Sequence, residues 1–384
     1  MSVTTTESNT AKFHYVERDV TPMPNKELGN GKGLLRGYTS LTLGLLSLLA
    51  VLAYSFPTYL TTAELRAAYD GEMFRTALKY GMYGSLFFAF ATFVSGKRRR
   101  MGLAGIIFTG VAFLLGGYNV PTGEIETKPL SLGVDWLILS FLLSTIVFTS
   151  LEKILPKYRD QVVLRKEWKL DMLYFGVNHL LISAIILVGN WAVSVCDFAI
   201  NDGLQASVQA LPIWVQFIIV LLIADFVLYW EHRAFHELPK LWGFHAVHHS
   251  VETMDWLAGS RSHVVSTFIE RTLVIVPLYL LGPDKLALDM YVAFAALQAV
   301  YIHCNTSFNL GPLKHILVTA QFHHWHHSSE EPAIDTNYAA HTQIWDRLFG
   351  TFHLPDEHWP AVYGTTERLP RTFEAQLKYP FQQL

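Results

Sequence analysis

The sequence predicts an all-α protein: a multi-pass transmembrane helical bundle with a cytosolic, histidine-rich helical cap holding a dimetal site. Three observations predict it. Of the 384 residues 51% are hydrophobic and only 16% charged, an apolar excess over ordinary soluble domains. The apolar residues run in stretches that approach the roughly 20 residues a helix needs to cross a bilayer. Finally, eight histidines occupy the HxxxH, HxxHH and HxxHH positions of three short boxes: HRAFH at 232–236, HAVHH at 245–249 and HHWHH at 323–327.

Taken in order, residues 1–36 begin with a polar run and lack a basic segment followed by an apolar core. They read as a flexible cytosolic tail rather than a cleaved signal. Six apolar stretches, 37–56, 78–95, 101–117, 134–150, 172–195 and 212–230, have the length and lack of charge expected of transmembrane helices. Two shorter ones, 264–281 and 288–303, are separated by Gly282-Pro283-Asp284 and form a helical hairpin that either spans the bilayer or dips into it. Lys97, Arg98, Arg99 and Arg100 follow the second stretch, and Lys153, Lys157, Arg159, Arg165, Lys166 and Lys169 follow the fourth. The intervening loops are acidic or nearly neutral: Glu64, Asp70 and Glu72 outweigh Arg66, and Glu124 and Glu126 outweigh Lys128. A cytosolic N-terminus satisfies the positive-inside rule at every one of these loops. It also places residues 232–263 and 304–384, and so all three boxes, on the cytosolic side.

The basic linker near residue 155 divides the chain. Residues 37–155 form a four-helix transmembrane region of unknown role, residues 156–365 carry the histidines, and 366–384 form a C-terminal tail. A net charge of −3 gives no electrostatic reason to expect nucleic acid. Cys196 and Cys304 have no CxxC spacing, which argues against a disulfide or a thiolate metal site.

Spacings of three and four place side chains on one helical face, so each box aims two or three imidazoles at one point. Neutral imidazole is the commonest metal ligand. Eight are too many for one ion, because a structural zinc takes about four ligands and a catalytic zinc about three from the protein. The arithmetic favours two metals, and thiolate-free nitrogen ligation suits iron, copper, nickel or zinc. A membrane metal transporter would instead place its ligands near the bilayer midplane along several helices. A zinc-dependent membrane hydrolase would need a second ligand after His236-Glu237, where Leu238-Pro239 interrupts the helix.

The boxes sit in further sequence. Asp225 and Tyr229-Trp230-Glu231 precede the first, and Leu241-Trp242 precedes the second. Asp335, Asn337-Tyr338 and the run WDRLFGT at 345–351 follow the third. Over roughly residues 165–362 this resembles the fatty acid hydroxylase/sterol desaturase superfamily of integral membrane di-iron oxygenases. The box-two sequence and WDRLFGT lean towards its sterol desaturase-like branch. The resemblance implies two irons, O2 as co-substrate, two electrons from an external donor, and hydroxylation or desaturation of an unactivated C–H bond of a sterol-like, fatty-acyl or sphingolipid substrate drawn from the bilayer. With no His-Pro-Gly-Gly heme motif in the chain, the donor is expected to be a separate ferredoxin, cytochrome b5 or reductase. The membrane is expected to be a bacterial inner membrane or, in a eukaryote, the endoplasmic reticulum.

Carried over residue by residue, the resemblance makes His232, His236, His245, His248, His249, His323, His326 and His327 the ligands. His303, in Tyr301-Ile302-His303-Cys304-Asn305, matches a family histidine between the second and third boxes and is a ninth. His324 holds the variable position and is expected not to ligate. His263 and His341 are possible additional ligands or groups that orient a ligand through a hydrogen bond. No catalytic residue is expected beyond the ligands. His14, His179, His315, His353 and His358 lie outside any box and are read as structural or solvent-facing. A carboxylate can orient a ligating imidazole by accepting its other N–H. Asp225, seven residues before His232 on the same helical face, is expensive in a membrane without such a partner, and Glu231, Glu237, Asp255 and Asp335 are further candidates. Asp346 and Arg347 are expected to form an ion pair.

Overall fold

The computed structural model describes residues 33–66, 71–126, 128, 130–355 and 358–383. Of the tail expected over 1–36, residues 1–32, with His14, lie outside the described residues, as does Asp70, while α1 begins at Leu34, inside the expected tail. Sixteen α-helices follow one another among the described residues. They are α1 (Leu34–Ser55), α2 (Pro57–Leu60), α3 (Ala63–Arg66), α4 (Gly71–Ser95), α5 (Arg99–Leu114), α6 (Val134–Ile154), α7 (Trp168–Leu180) and α8 (Ile182–Cys196). Then come α9 (Asp202–Gln209), α10 (Ile213–Glu237), α11 (Pro239–His249), α12 (Val264–Leu281), α13 (Lys285–Tyr301), α14 (Ala320–His326), α15 (Ile344–Phe349) and α16 (Phe373–Gln383). Among these residues there is no β-strand, only isolated bridges between Leu317 and Thr342 and between Ser328 and Tyr363.

Among the described residues six helical segments are long and apolar enough to cross a membrane: Leu34–Ser55, Arg99–Asn119, Val134–Ile154, Ile182–Ala199, Ile213–Glu237 and Val264–Leu281. They overlap the expected set without matching it. The stretch 78–95 lies in α4, where Lys79, Tyr80, Gly81, Tyr83 and Gly84 dilute the apolar content, and α4 is not among the six. The expected single helix 172–195 is broken at Leu181 into α7 and α8. There the Leu180 carbonyl leaves the helical ladder and accepts the Gly133 amide at 3.3 Å. Of the hairpin, α12 is among the six, while α13 has 17 residues and is not.

Three helices near the start pack through small residues. Gly37, Ser40, Gly44 and Ser47 are buried on α1, and Gly102, Gly105 and Thr109 on α5. Without a hydrophobic drive between helices in lipid, close backbone approach is what holds such pairs together. The approach is tight, since a Cβ on Gly44 would lie 2.7 Å from the Gly105 carbonyl oxygen. α4 completes this unit against α1 and α5.

The second unit is built on α10, which packs on α12 and α13 around Val220, Leu221, Ala224, Leu278, Tyr291 and Ala295. α10 continues to Glu237, so its last turns emerge carrying His232 and His236. Pro239, at the first position of α11, restarts the chain at once. Beyond them, Tyr229, Ile302, Val318, Phe322, Tyr338 and Ala339 form the core under the cap. The segment read as a C-terminal tail contains α16, which packs on α11. Phe373 of α16 meets Tyr174 edge-on at 4.8 Å, an apolar anchor that docks the segment.

Replacing Gly105 by Leu would force α1 and α5 apart. We expect destabilisation of about 1–3 kcal/mol, typical of overpacking, seen as a lower melting temperature in detergent with metal content unchanged.

Candidate metal centre

The helices deliver their histidines to two adjoining groups. His232, His236, His245, His249 and His326 form one, and His248, His303, His323 and His327 the other; within each, one ligand atom per residue lies within 4.8 Å of all the others. The division follows helical pitch. Residues four apart share a face, so His232/His236 and His245/His249 turn to the first group and His323/His327 to the second. The remaining member of each HxxHH box, His248 or His326, crosses to the opposite group. The two groups touch, with the His249 and His327 rings stacked at 4.4 Å.

The hydrogen bonds around the rings fix their tautomers. His232 Nδ1 lies 2.7 Å from the Tyr338 carbonyl, His248 Nδ1 2.9 Å from that of Arg261, His303 Nδ1 2.7 Å from that of Ala299, and His326 Nδ1 2.8 Å from that of Thr336. A carbonyl only accepts, so in each case Nδ1 carries the proton and the Nε2 of the neutral ring is a bare lone pair. His248 and His303 thus face each other with two unprotonated Nε2 atoms 3.3 Å apart. Buried His326 Nε2 has no hydrogen-bond partner. Other Nε2–Nε2 separations are 2.9 Å (His232–His245), 3.2 Å (His236–His249), 3.0 Å (His303–His323) and 3.1 Å (His323–His327). Metal–nitrogen bonds of about 2.0–2.1 Å put adjacent ligand nitrogens at right angles about 3 Å apart. The donor set fits two metal ions.

Burial holds His245, His249, His303, His323, His326 and His327 well below the usual histidine range, with the neighbouring imidazoles adding to the effect. Burial lowers His248 to about 4. These rings are therefore neutral near pH 7, the form that ligates.

His263 and His341 lie outside both groups. His263 caps α12, accepting the Val265 amide on Nδ1 at 3.1 Å and donating from Nε2 to the Leu377 carbonyl at 3.2 Å. His341 pairs with Gln298 Oε1 at 2.9 Å, and burial lowers it to about 3. His324 also stands apart, bonded to the Tyr363 hydroxyl at 3.0 Å and facing the His303 carbonyl at 3.3 Å. His179, His315, His353 and His358 belong to neither group.

Asp225 reaches no imidazole, contrary to the expectation from its place on α10. Its oxygens accept the amides of Ala340 (3.1 Å), His341 (2.7 Å) and Thr342 (2.8 Å) and the Thr342 hydroxyl (2.7 Å). The expected Asp346–Arg347 ion pair is replaced in the same way. Asp346 accepts the amides of Tyr338 (2.8 Å) and Ala339 (2.9 Å), and Arg347 bonds Gln343 Oε1 at 2.9 Å and lies over the Phe352 ring. Buried amides must find acceptors, and these two carboxylates take five consecutive ones. They thereby present the Tyr338 carbonyl to His232. Among the other carboxylates, Asp335 Oδ1 lies 3.3 Å from His236 Nδ1, Glu237 pairs with Arg233, and Asp255 pairs with Arg165; Glu231 has no hydrogen bond to any of the nine rings among the described residues.

Two contributors escaped the sequence reading. Arg261 is buried against Asp171 and Glu167, while Arg165 joins Asp171 to Asp255. This network fixes the loop whose carbonyl orients His248, and its only signal in the sequence was an excess of charge beside apolar segments. Gly259 is the second: a Cβ there would lie 2.7 Å from His303 Nδ1, so only glycine lets the loop close over that ring.

Residues 217–351 match the fatty acid hydroxylase family model. The chain is 39% identical over 170 residues to ornithine lipid hydroxylase OlsE of Rhizobium tropici, covering 44% of this chain and 51% of that protein. It is 36% identical over 160 residues to human alkylglycerol monooxygenase, covering 42% and 35%. With methylsterol monooxygenase 2-2 of Arabidopsis thaliana the figures are 29% over 155 residues, covering 39% and 58%. The matched regions thus span about a third to three fifths of these relatives. No solved structure matches the chain.

Two experiments test the centre. The wild type should bind two metal ions per chain, and His248→Ala and His326→Ala, one from each group, should each retain about one; elemental analysis of purified protein reads this. In the metal-free protein, unfolding exposes imidazoles that take up protons below about pH 6.5, whereas the folded chain leaves His248 neutral down to about 4. Stability rises with pH wherever the unfolded state binds more protons. Melting temperature should therefore fall as pH drops from about 6.5 towards 4, with no loss from this source above pH 6.5.

Proposed function

We propose that the chain is a membrane-bound di-iron oxygenase of the fatty acid hydroxylase/sterol desaturase superfamily, to whose members residues 217–351 are similar, and that it hydroxylates an unactivated C–H bond of a lipid. The observation that carries the reading is the pair of adjoining imidazole groups, with bare Nε2 lone pairs facing one another. Two irons held by His232, His236, His245, His249 and His326 and by His248, His303, His323 and His327 would supply activation of O2 with two external electrons.

The protein's own share is positional. The carbonyls of Tyr338, Arg261, Ala299 and Thr336 hold the Nδ1 protons outward and keep Nε2 free. The core under the cap, with Tyr229, Phe322 and Tyr338 fully buried, keeps bulk water from the rings, which protects a strong oxidant from wasteful side reactions. The end of α10 ties the centre to the apolar bundle, so a lipid enters from the bilayer while electrons arrive from the aqueous side through a separate ferredoxin, cytochrome b5 or reductase. Loop charges support a cytosolic face for the centre, in a bacterial inner membrane or the endoplasmic reticulum. The catalytic unit is residues 156–365.

Similarity to the ornithine lipid and alkylglycerol enzymes is higher than to the methylsterol enzyme. This favours an acyl or alkyl lipid over a sterol, and hydroxylation over desaturation. A transport role is not favoured, because the imidazoles cluster beyond one end of the bundle.

The test is comparative lipid mass spectrometry of cells expressing the wild type or His248→Ala under labelled O2. We expect one labelled oxygen atom in a membrane lipid from wild-type cells and none from the variant. An unlabelled lipid pool, loss of two hydrogens instead of gain of oxygen, or zinc alone in the purified protein would each overturn the assignment.

A further inference from the structure

A space that none of the nine imidazoles lines lies in the N-terminal unit, which the functional reading leaves without a role. α4 and α6 both pack on α1, without extensive contact between them. Between them runs an apolar slot of about 410 Å³. Its floor is α1, where Ser47, Ala50 and Ala53 alternate with Leu43, Leu46 and Tyr54, and its walls include Phe74, Leu78, Ile138 and Leu142. One end of the slot reaches Thr61 and Arg66. Those two residues also line a second recess of about 350 Å³ with a mixed lining, polar at Thr58, Lys128 and Asn190 and apolar at Ile186 and Leu187. Both volumes fall within the roughly 300–1,000 Å³ of small-molecule sites.

The charges at the junction have a definite sign. Arg66 Nη1 donates to the carbonyls of Pro57 (3.1 Å) and Thr61 (2.9 Å), which fixes its guanidinium between the two spaces. Lys128 adds a second cation and lies 3.5 Å from Glu126, the one carboxylate among the recess residues. Asp135, which borders the slot, is engaged by the Thr62 amide at 3.0 Å and the Trp136 amide at 2.9 Å. An apolar slot opening into a recess of mixed lining with a net positive charge matches one chemistry: an acyl chain joined to a phosphate-bearing head, the group for which a fixed guanidinium is suited.

We propose that this space is a binding site for an anionic membrane phospholipid, with one acyl chain in the slot over α1 and the phosphate against Arg66. The site is separate from the metal centre and does not depend on the oxygenase reading. It borders the centre's scaffold through α6, whose far end carries Glu152, bonded to the amides of Trp256 (2.7 Å) and Asn305 (2.9 Å).

The experiment uses the purified full chain and two probes, phosphatidylglycerol and phosphatidylcholine, each with a photoreactive group on the acyl chain. Labelled peptides are mapped by mass spectrometry. The expected result is labelling concentrated in residues 43–54, 74–81 and 138–142, stronger for phosphatidylglycerol by about tenfold, because the choline cation of phosphatidylcholine is repelled by the Arg66 guanidinium that both phosphates meet. Arg66→Gln should remove that preference and Arg66→Lys should restore most of it, while Ala50→Phe, which fills the floor, should remove the labelling from both lipids. Should Ala50→Phe fail to fold, the Arg66 pair decides. Equal labelling by the two lipids in the wild type, labelling spread evenly over all the apolar helices, or a preference unchanged in Arg66→Gln would overturn the proposal.

Discussion

A backbone carbonyl can accept a hydrogen bond but never donate one, and four such carbonyls decide what the imidazole cluster is. By taking the Nδ1 protons of His232, His248, His303 and His326 they leave lone pairs converging in a buried space. That arrangement is repulsive without a cation, and much of the surrounding structure exists to hold the four carbonyls still. Two belong to the 335–342 segment, which is pinned by Asp225 and Asp346 and shaped by left-handed backbone at Asp335 (φ 57°) and Asn337 (φ 61°). Asparagine and aspartate tolerate that conformation better than most residues. A third carbonyl belongs to Arg261, whose side chain is anchored by buried carboxylates. The fourth sits within α13 itself.

Much of this could be read in the sequence, and the parts that could not share a physical cause. Box spacing reports which side chains share a helix face, so the convergence of the imidazoles was legible. Apolar stretches likewise announced α1, α5, α6, α10 and α12. What stayed hidden depends on partners distant in the chain. Asp225 lies 115 residues before the first amide it accepts, and nothing local distinguishes a carboxylate that meets an amide from one that meets an imidazole. The break between α7 and α8 has the same origin, because it depends on Gly133 capturing a carbonyl from another helix. Asp346 and Arg347 adjoin in sequence, yet the buried amides of Tyr338 and Ala339 outcompete the neighbouring guanidinium for the carboxylate.

The two units of the chain use different physics. The first three long helices approach through glycine and serine, which suits helices in lipid, where apolar side chains gain little by meeting each other. The unit around α10 uses large apolar side chains and, beyond them, buried charges and hydrogen bonds. The family match, residues 217–351, begins in α10 and ends just past α15, enclosing all nine imidazoles. The N-terminal unit lies outside it, and its groove over α1 arises because two neighbours share that helix as a support.

The allocation of neighbouring residues to opposite groups has one more consequence. His248 and His249 are joined by a single peptide bond and serve different groups, as do His326 and His327. Any ion held by one group is therefore strapped to the other at two places by covalent geometry. The gap between the centres is gauged by the step from one residue to the next along a helix, a length that solvent, temperature and side-chain repacking hardly alter. The spacing between the two groups cannot breathe freely, because here the ruler is the polypeptide itself.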